Sequence, residues 1–176
     1  QVQNFFKNDP VYGNNYCIGG TPGNWRVVTT TGWPAFYRGW HCIHPWTVGG
    51  YMTTTDIINF KNTWVAPDVT ECNSLGLGYL PVIWPGFSWD NLQQLPPGTS
   101  NFPRRDGQHL WDQAYQFQSV GLNQMFIAMF DEVDEGTALL KVSSNHPTTD
   151  NWVDYGTLPH DWYMRLAGAV TRMLRK

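Results

Sequence analysis

The stretch Met125–Val142, MFIAMFDEVDEGTALLKV, constrains this chain more than any other. Six consecutive apolar residues, Met125 to Phe130, run directly into four acids within five positions: Asp131, Glu132, Asp134 and Glu135. An apolar run this short, ended by charge, predicts a strand buried on both faces, the pattern of a parallel sheet. Gly136 and Thr137 then return the chain to an apolar segment. In parallel α/β folds the loops at the carboxyl ends of the strands carry the chemistry. A strand that delivers carboxylates to its own carboxyl end is therefore a candidate active site. The same acids also suit a solvated loop, or a helix start favoured by negative charge near its amino terminus. The acids alone leave both readings open.

The rest of the chain supplies matching units. Tyr16–Ile18 is a short apolar run closed by Gly19-Gly20-Thr21-Pro22-Gly23. Cys42–Val48 is a second strand-like run whose Pro45 fits a strand end better than its middle, which puts His44 and Trp46 near that end. Thr53–Asp56 opens a helix carrying Ile57, Ile58, Phe60 and Trp64, with Pro67 expected to break it. Asp68–Leu75 adds a further helical turn or two, stopped by Gly76 and Gly78. Tyr79–Ile83 reads as a third buried strand, followed by the aromatic loop WPGFSWDN at 84–91 and an irregular Pro-rich segment, 96–105. Asp106-Gly107 caps a helix from Gln108 to about Val120, and Asp161 caps a last one over Trp162–Leu174, each with apolar residues at three-four spacing. Val2–Pro10 reads as a tail or the end of an upstream helix, Trp33–Trp40 as a covering loop, and Ser143–Gly156 as a polar loop. Four parallel strands, near 16–19, 42–46, 79–83 and 125–130, alternate with helices, so the expected class is α/β with the strands adjacent in chain order.

Composition narrows the function. The 176 residues are expected to form a single α/β domain over 1–176, short for a closed eight-stranded barrel of about 250 residues. Net charge is −3 and no basic cluster is longer than Arg104–Arg105, which disfavours nucleic acid. No apolar run approaches the roughly 20 residues of a membrane span. Cys17, Cys42 and Cys72 form no CxxC pair, so a zinc site is not expected; one disulfide with one thiol, or three thiols, both fit. His41, His44, His109, His146 and His160 are scattered and read as structural or surface residues, His44 being the exception by its strand-end position. No metal and no cofactor is expected. Charged residues make up only 14% of the chain while aromatics reach 15%, with ten Trp, a balance that favours an aromatic recognition surface. Sparse Lys with abundant Thr, Asn, Gly and Trp leans towards a secreted, extracellular protein.

Three segments together, YLPVIWPGFSWDNL (79–92), PRRDGQHLWDQ (103–113) and MFIAMFDEVDEGTALLKV (125–142), resemble the carbohydrate-active (β/α)8 barrels related to glycoside hydrolase families 71 and 99. GGTPGNWR (19–26), IHPWTVGGY (43–51) and LPHDWYMRLAGAVTRML (158–174) are similar to neighbouring units of the same group, so the resemblance covers nearly the whole chain in order. It implies four strand–loop–helix units from the carboxyl-terminal half of such a barrel, a partial TIM-type fold. It implies an oligosaccharide or glycan lying along the strand ends against Trp25, Trp46, Trp84 and Trp89, with Arg104 and Arg105 nearby. In family 99 endo-α-mannosidases the catalytic motif is Glu-x-x-Glu, which falls here on Glu132 and Glu135. Glu135 is then the general acid/base at the glycosidic oxygen. Glu132 is the base that draws the 2-hydroxyl proton, the sugar passing through a 1,2-anhydro form. Asp131 and Asp134 either add to the substrate site or hold the two glutamates in place.

Glycoside cleavage in any case needs one protonated carboxyl and one carboxylate, and crowding acids raises at least one pKa. Packing readings stand beside the functional ones: Trp84 and Trp89 either stack on a sugar or lie under the helix at 108–120, and Arg104 either meets substrate or holds the acidic cluster. The chain departs from the family at Gly50, where relatives carry Arg, at Asp106, where they carry Gly, and in lacking the amino-terminal half. The expected function is a retaining α-mannoside-type glycoside hydrolase, or the catalytic-carboxylate half of one. The alternative is a non-catalytic carbohydrate-binding or self-assembling structural protein. Four strands leave two open sheet edges, so self-association, or association with a missing amino-terminal half, is expected.

Overall fold

The computed structural model describes residues 1–141 and 151–175. Val142, His146, Lys176 and the part of the polar loop at 143–150 lie outside the described residues. Along the chain run α1 (Val2–Asn8), β1 (Ile18–Pro22), α2 (Trp33–Arg38), β2 (Cys42–Trp46), α3 (Thr54–Phe60), α4 (Ala66–Leu75), β3 (Gly78–Tyr79), β4 (Val82–Ile83), α5 (Trp89–Leu92), α6 (Gln108–Gln118), β5 (Phe126–Ile127) and α7 (Trp162–Leu174). Among the described residues these strands pair in parallel, β1 with β2, β2 with β3, and β4 with β5. β3 and β4 are two parts of the single strand expected at 79–83. They are parted at Leu80-Pro81, where the ladder passes from one neighbour to the other. Leu80 N donates back to Ile43 O at 2.8 Å, and Pro81 O accepts from Phe126 N at 2.9 Å. Strand order therefore follows chain order, as the alternating pattern predicts. β1 lies a few residues later than expected, and β5 is shorter than the run Met125–Phe130.

The two faces of this sheet differ. Ile43 and Tyr79 are paired in register and buried, Tyr79 reaching the Asp68 carboxylate of α4. Gly19 shares their face, and Trp40 lies so close to it that a Cβ there would sit 1.9 Å from the indole. The opposite face carries Ile18, Gly20 and Pro22 of β1 with His44 and Trp46 of β2. Ile18 is 51% exposed and Trp46 46%. The expected burial of the last strand on both faces does not hold either: Phe126 and Ile127 are only half-buried and Phe130 is exposed. β5 is a sheet edge, with no further strand of the described chain beside it.

Two helical expectations change. Thr53 and Asp56 form the reciprocal cap that starts α3, but Pro67 does not stop the helix. The chain continues through a π turn at Lys61–Val65 into α4, with Pro67 in the first turn of α4. The carbonyl that Pro67 cannot serve, Thr63 O, accepts instead from Arg26 Nη2 at 3.4 Å. α4 ends on Gly76 at φ +67°, the left-handed stop that glycine takes without steric cost. Trp33–Trp40, expected as a loop, holds the short helix α2, opened by Pro34 in its first turn. The core joins the helices to the buried face through Trp25, Ile43, Ile57, Val82, Ile83, Trp84, Leu110 and Phe117, all 0% exposed. Cys17, Cys42 and Cys72 are free thiols, and no helix among the described residues is long and apolar enough to cross a membrane.

Candidate functional site

The acids occupy the tip of a closed excursion from the carboxyl end of β5. Ala128 N still donates to Ile83 O at 2.9 Å, so the strand pairing extends one residue past β5. The chain then leaves at Met129–Phe130 and returns at Thr137–Leu140. Met129 N donates to Thr137 O at 3.2 Å, Leu139 N to Phe130 O at 3.1 Å, and Leu140 N to Phe130 O at 2.8 Å. Residues 131–136 are held between those bonds. Within the tip, Glu132 Oε1 accepts from Asp134 N at 3.0 Å and from Glu135 N at 3.3 Å, so this carboxylate is fixed by the turn that it closes.

The tip is also clamped from the loop after β4. Ser88 N donates to Glu135 O at 2.6 Å, and Asn91 Nδ2 to Asp134 O at 2.9 Å. Gly136, at φ +63°, lets the two segments meet: a Cβ there would lie 1.9 Å from Ser88 Oγ. Behind the tip, Arg104 is buried between the rings of Tyr155 and Tyr163, 4.9 and 4.7 Å from their centroids. Its Nη2 donates to Gly136 O at 2.6 Å and Ala138 O at 3.0 Å, and its Nε to Val153 O at 2.9 Å. Arg104 thus holds the acidic loop, as one of its two sequence readings has it, but through backbone carbonyls rather than through the acids.

Glu132 and Glu135 are half-buried while Asp131 and Asp134 are exposed. Burial, then the negative charges of Glu132 and Asp134, raise the Glu135 carboxyl above the usual glutamate range. The arrangement can therefore present one carboxyl that keeps its proton to higher pH beside a second one locked in orientation.

The other predicted site residues divide. Trp46 stands exposed at the end of β2, its ring edge-on to His44 at 6.4 Å. Trp89 is 36% exposed. Trp84 is fully buried against Tyr51, with ring centroids 4.3 Å apart, and its backbone N–H and C=O are both bound by the Gln113 amide of α6. The stacking role for Trp84 is therefore corrected to packing. So is that of Trp25, whose indole N–H donates to Asp68 at 3.0 Å beneath the surface. Arg105 bonds Thr54 and Asp112, on the α3–α6 side of the fold. His44 holds Leu80 O at 2.8 Å and packs on Phe126. His109 is buried, and burial pushes its imidazole down to about 4, so it is neutral at physiological pH. Sequence reasoning missed Ser88, Asn91 and Gln113, whose roles depend on partners 29 to 47 positions away. Among the described residues no group of His, Cys, Asp and Glu is arranged to hold a metal ion.

No family model matches the chain. No curated protein matches it. Among solved structures it is similar to the GH99 endo-alpha-mannosidase from Bacteroides thetaiotaomicron in complex with BIS-TRIS-Propane, with TM-score 0.69 and 16% identity over 90% of this chain. A second structure of the GH99 endo-alpha-mannosidase from that organism aligns with TM-score 0.68 and 17% identity, again over 90% of this chain. The chain spans 46% and 43% of those two proteins, respectively. The likeness is one of fold: this α/β chain is a partial TIM-type barrel resembling about half of a glycoside hydrolase of that kind.

Proposed function

We propose that the chain carries the catalytic carboxylates of a retaining glycosidase acting on α-mannoside glycans. Glu135, protonated, gives its proton to the glycosidic oxygen as the bond to the leaving sugar breaks. Glu132 takes the proton of the 2-hydroxyl, whose oxygen closes on the anomeric carbon to form the 1,2-anhydro sugar. Water then opens that ring, with Glu135 accepting its proton and Glu132 returning one to the 2-oxygen. The single observation that supports this best is the state of Glu135: a carboxyl raised above the usual range, on a tip clamped by Ser88, Asn91 and Arg104 at a strand's carboxyl end. A solvated acidic loop needs none of these clamps.

The second reading, a non-catalytic carbohydrate-binding or self-assembling protein, draws on the chain spanning less than half of its structural neighbours. Either reading includes association of the open sheet with copies of the chain or with a complementary half-barrel.

An α-mannoside with a good leaving group and a panel of α-linked oligosaccharides test the proposal. Glu135→Gln and Glu132→Gln are each expected to lower turnover by about 10²–10⁴-fold with an unchanged circular dichroism spectrum. Asp131→Asn is expected to do less. Hydrolysis that survives both Glu→Gln changes would show the assignment to be wrong.

A further inference from the structure

Arg104 is a buried cation whose hydrogen bonding is incomplete. It is 4% exposed, and its Nε and Nη2 donate to three backbone carbonyls. Its Nη1, also buried, has no hydrogen-bond partner. The hydroxyl of the fully buried Tyr163 has none either. Both residues line one cavity of about 270 Å³, walled also by Arg105 and Trp152, between the segments 103–106 and 152–156. We propose that this cavity binds a small oxyanion, a carboxylate or inorganic phosphate, whose oxygen takes the Arg104 Nη1–H and the Tyr163 O–H together. The inference does not depend on the glycosidase reading, whose mechanism leaves this cavity unused.

The charge calls for a partner. Burial lowers the Arg104 pKa from its ordinary value, yet a guanidinium stays protonated. Among the described residues Arg104 makes no ion pair. Carbonyl dipoles and the rings of Tyr155 and Tyr163 offset part of the cost of burying it. A buried donor left without an acceptor adds to what remains. Tyr163 offers the second donor, because burial pushes its phenol up to about 12 and the hydroxyl keeps its proton. That hydroxyl lies close enough to Arg104 for each to shift the other's titration, but not in hydrogen-bonding geometry with it. Arg105 brings a further cation whose Nε is unpartnered, while its Nη atoms bond Thr54 and Asp112.

Geometry narrows the ligand. The Nε–Nη2 fork, which could grip a carboxylate or phosphate through two parallel bonds, is already filled by carbonyls. The ion is therefore held by single-oxygen contacts. The cavity lies below the ~300 Å³ at which pockets for larger organic ligands begin, so it suits an ion of few atoms. Two carboxylates share the lining, Asp106 and Asp154. Asp106 is exposed, and solvent screens it. Asp154 Oδ1 accepts from Gly156 N at 2.9 Å, and its charge acts on Arg104. Asp154 thus competes with the ion for the guanidinium.

To test the site, inorganic phosphate and acetate are titrated separately into the wild-type chain, with ionic strength held constant by chloride, and the thermal unfolding midpoint is followed. A saturable rise with at least one of them is expected, since a ligand of the folded state alone stabilises it. A rise with only one ion tells which oxyanion the cavity takes. Tyr163→Phe removes the hydroxyl and keeps the ring beside Arg104, so the half-saturating concentration is expected to rise about fivefold, the loss of one such bond. Asp154→Asn removes the competing charge and keeps the side-chain oxygen that Gly156 N binds, so there the concentration is expected to fall about twofold or more. Circular dichroism checks that both variants are folded. No saturable rise with either ion overturns the site. So does a rise whose half-saturation is unchanged in both folded variants, which would put the ion elsewhere on the chain.

Discussion

Glu135 owes its raised carboxyl first to burial and then to two neighbouring negative charges, Glu132 and Asp134. The sign of the consequence is fixed. A raised acid keeps its proton to higher pH, so a step that needs protonated Glu135 loses rate as pH climbs through that value. The folded state likewise keeps Glu135's contribution below the unfolded glutamate value, about 4.3, and loses it as pH rises through the folded one. Asp134→Asn removes one of the two charges and keeps a side chain able to lie beside Asn91. The alkaline limb of kcat/KM on an α-mannoside is expected to move to lower pH in this variant, with activity on the acid side retained. A limb that stays in place would show that Asp134 does not act on the group titrating there. A second residue-scale case is Asp106, held at φ +54° directly after Arg105 at φ +48°. An L side chain in this left-handed region costs about 1–2 kcal/mol, less for Asp. Asp106→Gly is expected to raise the urea midpoint, by up to about 1 kcal/mol in stability, because the Trp162 bond uses only the Asp106 carbonyl.

At the scale of elements, the acidic tip depends on a side chain from another segment. Arg104 binds carbonyls on the return of the loop, Gly136 and Ala138, and on the distant Val153. Arg104→Lys keeps the charge and loses the planar fork that reaches these acceptors at once. Hydrogen exchange across 129–140 is expected to speed up in this variant, while the β1–β2 amides keep their protection; equal loosening of both would make Arg104 a support of the whole fold. The same contacts show what a sequence reader could see. The strands at 42–46 and 79–83 and the helices from Gln108 and Trp162 were legible because short apolar runs and three-four spacing are local signals. The acids were legible because they follow an apolar run directly. Passage of the helix through Pro67 was not, since Arg26 serves the orphaned Thr63 carbonyl from across the fold. Nor could local pattern tell Trp84 from Trp89: five positions apart in one aromatic loop, they are separated by the Gln113 amide and Tyr51, which claim only the first.

The whole molecule is a sheet covered on both faces at β4, where Val82 and Ile83 are both buried, but on one face only along much of β1 and at the end of β2. Helices and Trp40 cover the side of Gly19, Ile43 and Tyr79, while Ile18 and Trp46 stand 51% and 46% exposed on the other, with Phe130 at 53% beyond the last strand. β1 and β5 have no outer strands among the described residues, so both sheet edges are open to pairing, the one at β5 only up to Met129, which the returning segment at Thr137–Leu139 pairs. Fully burying an apolar side chain of this size is worth about 1.5–3 kcal/mol, so covering this face works in favour of association and against the entropic cost of docking. The chain alone, at micromolar concentration, is therefore expected to scatter light as a species larger than its 20.2 kDa. Ile18→Lys places a charge on the open face at a position that folding does not bury. It is expected to weaken association by about tenfold or more without altering the circular dichroism spectrum, since nothing in the core is removed. A folded monomer of 20.2 kDa at that concentration would count decisively against association through this face. Larger species unaffected by Ile18→Lys would point instead to the free edge of β5, where the exposed Phe130 lies beside the acidic tip.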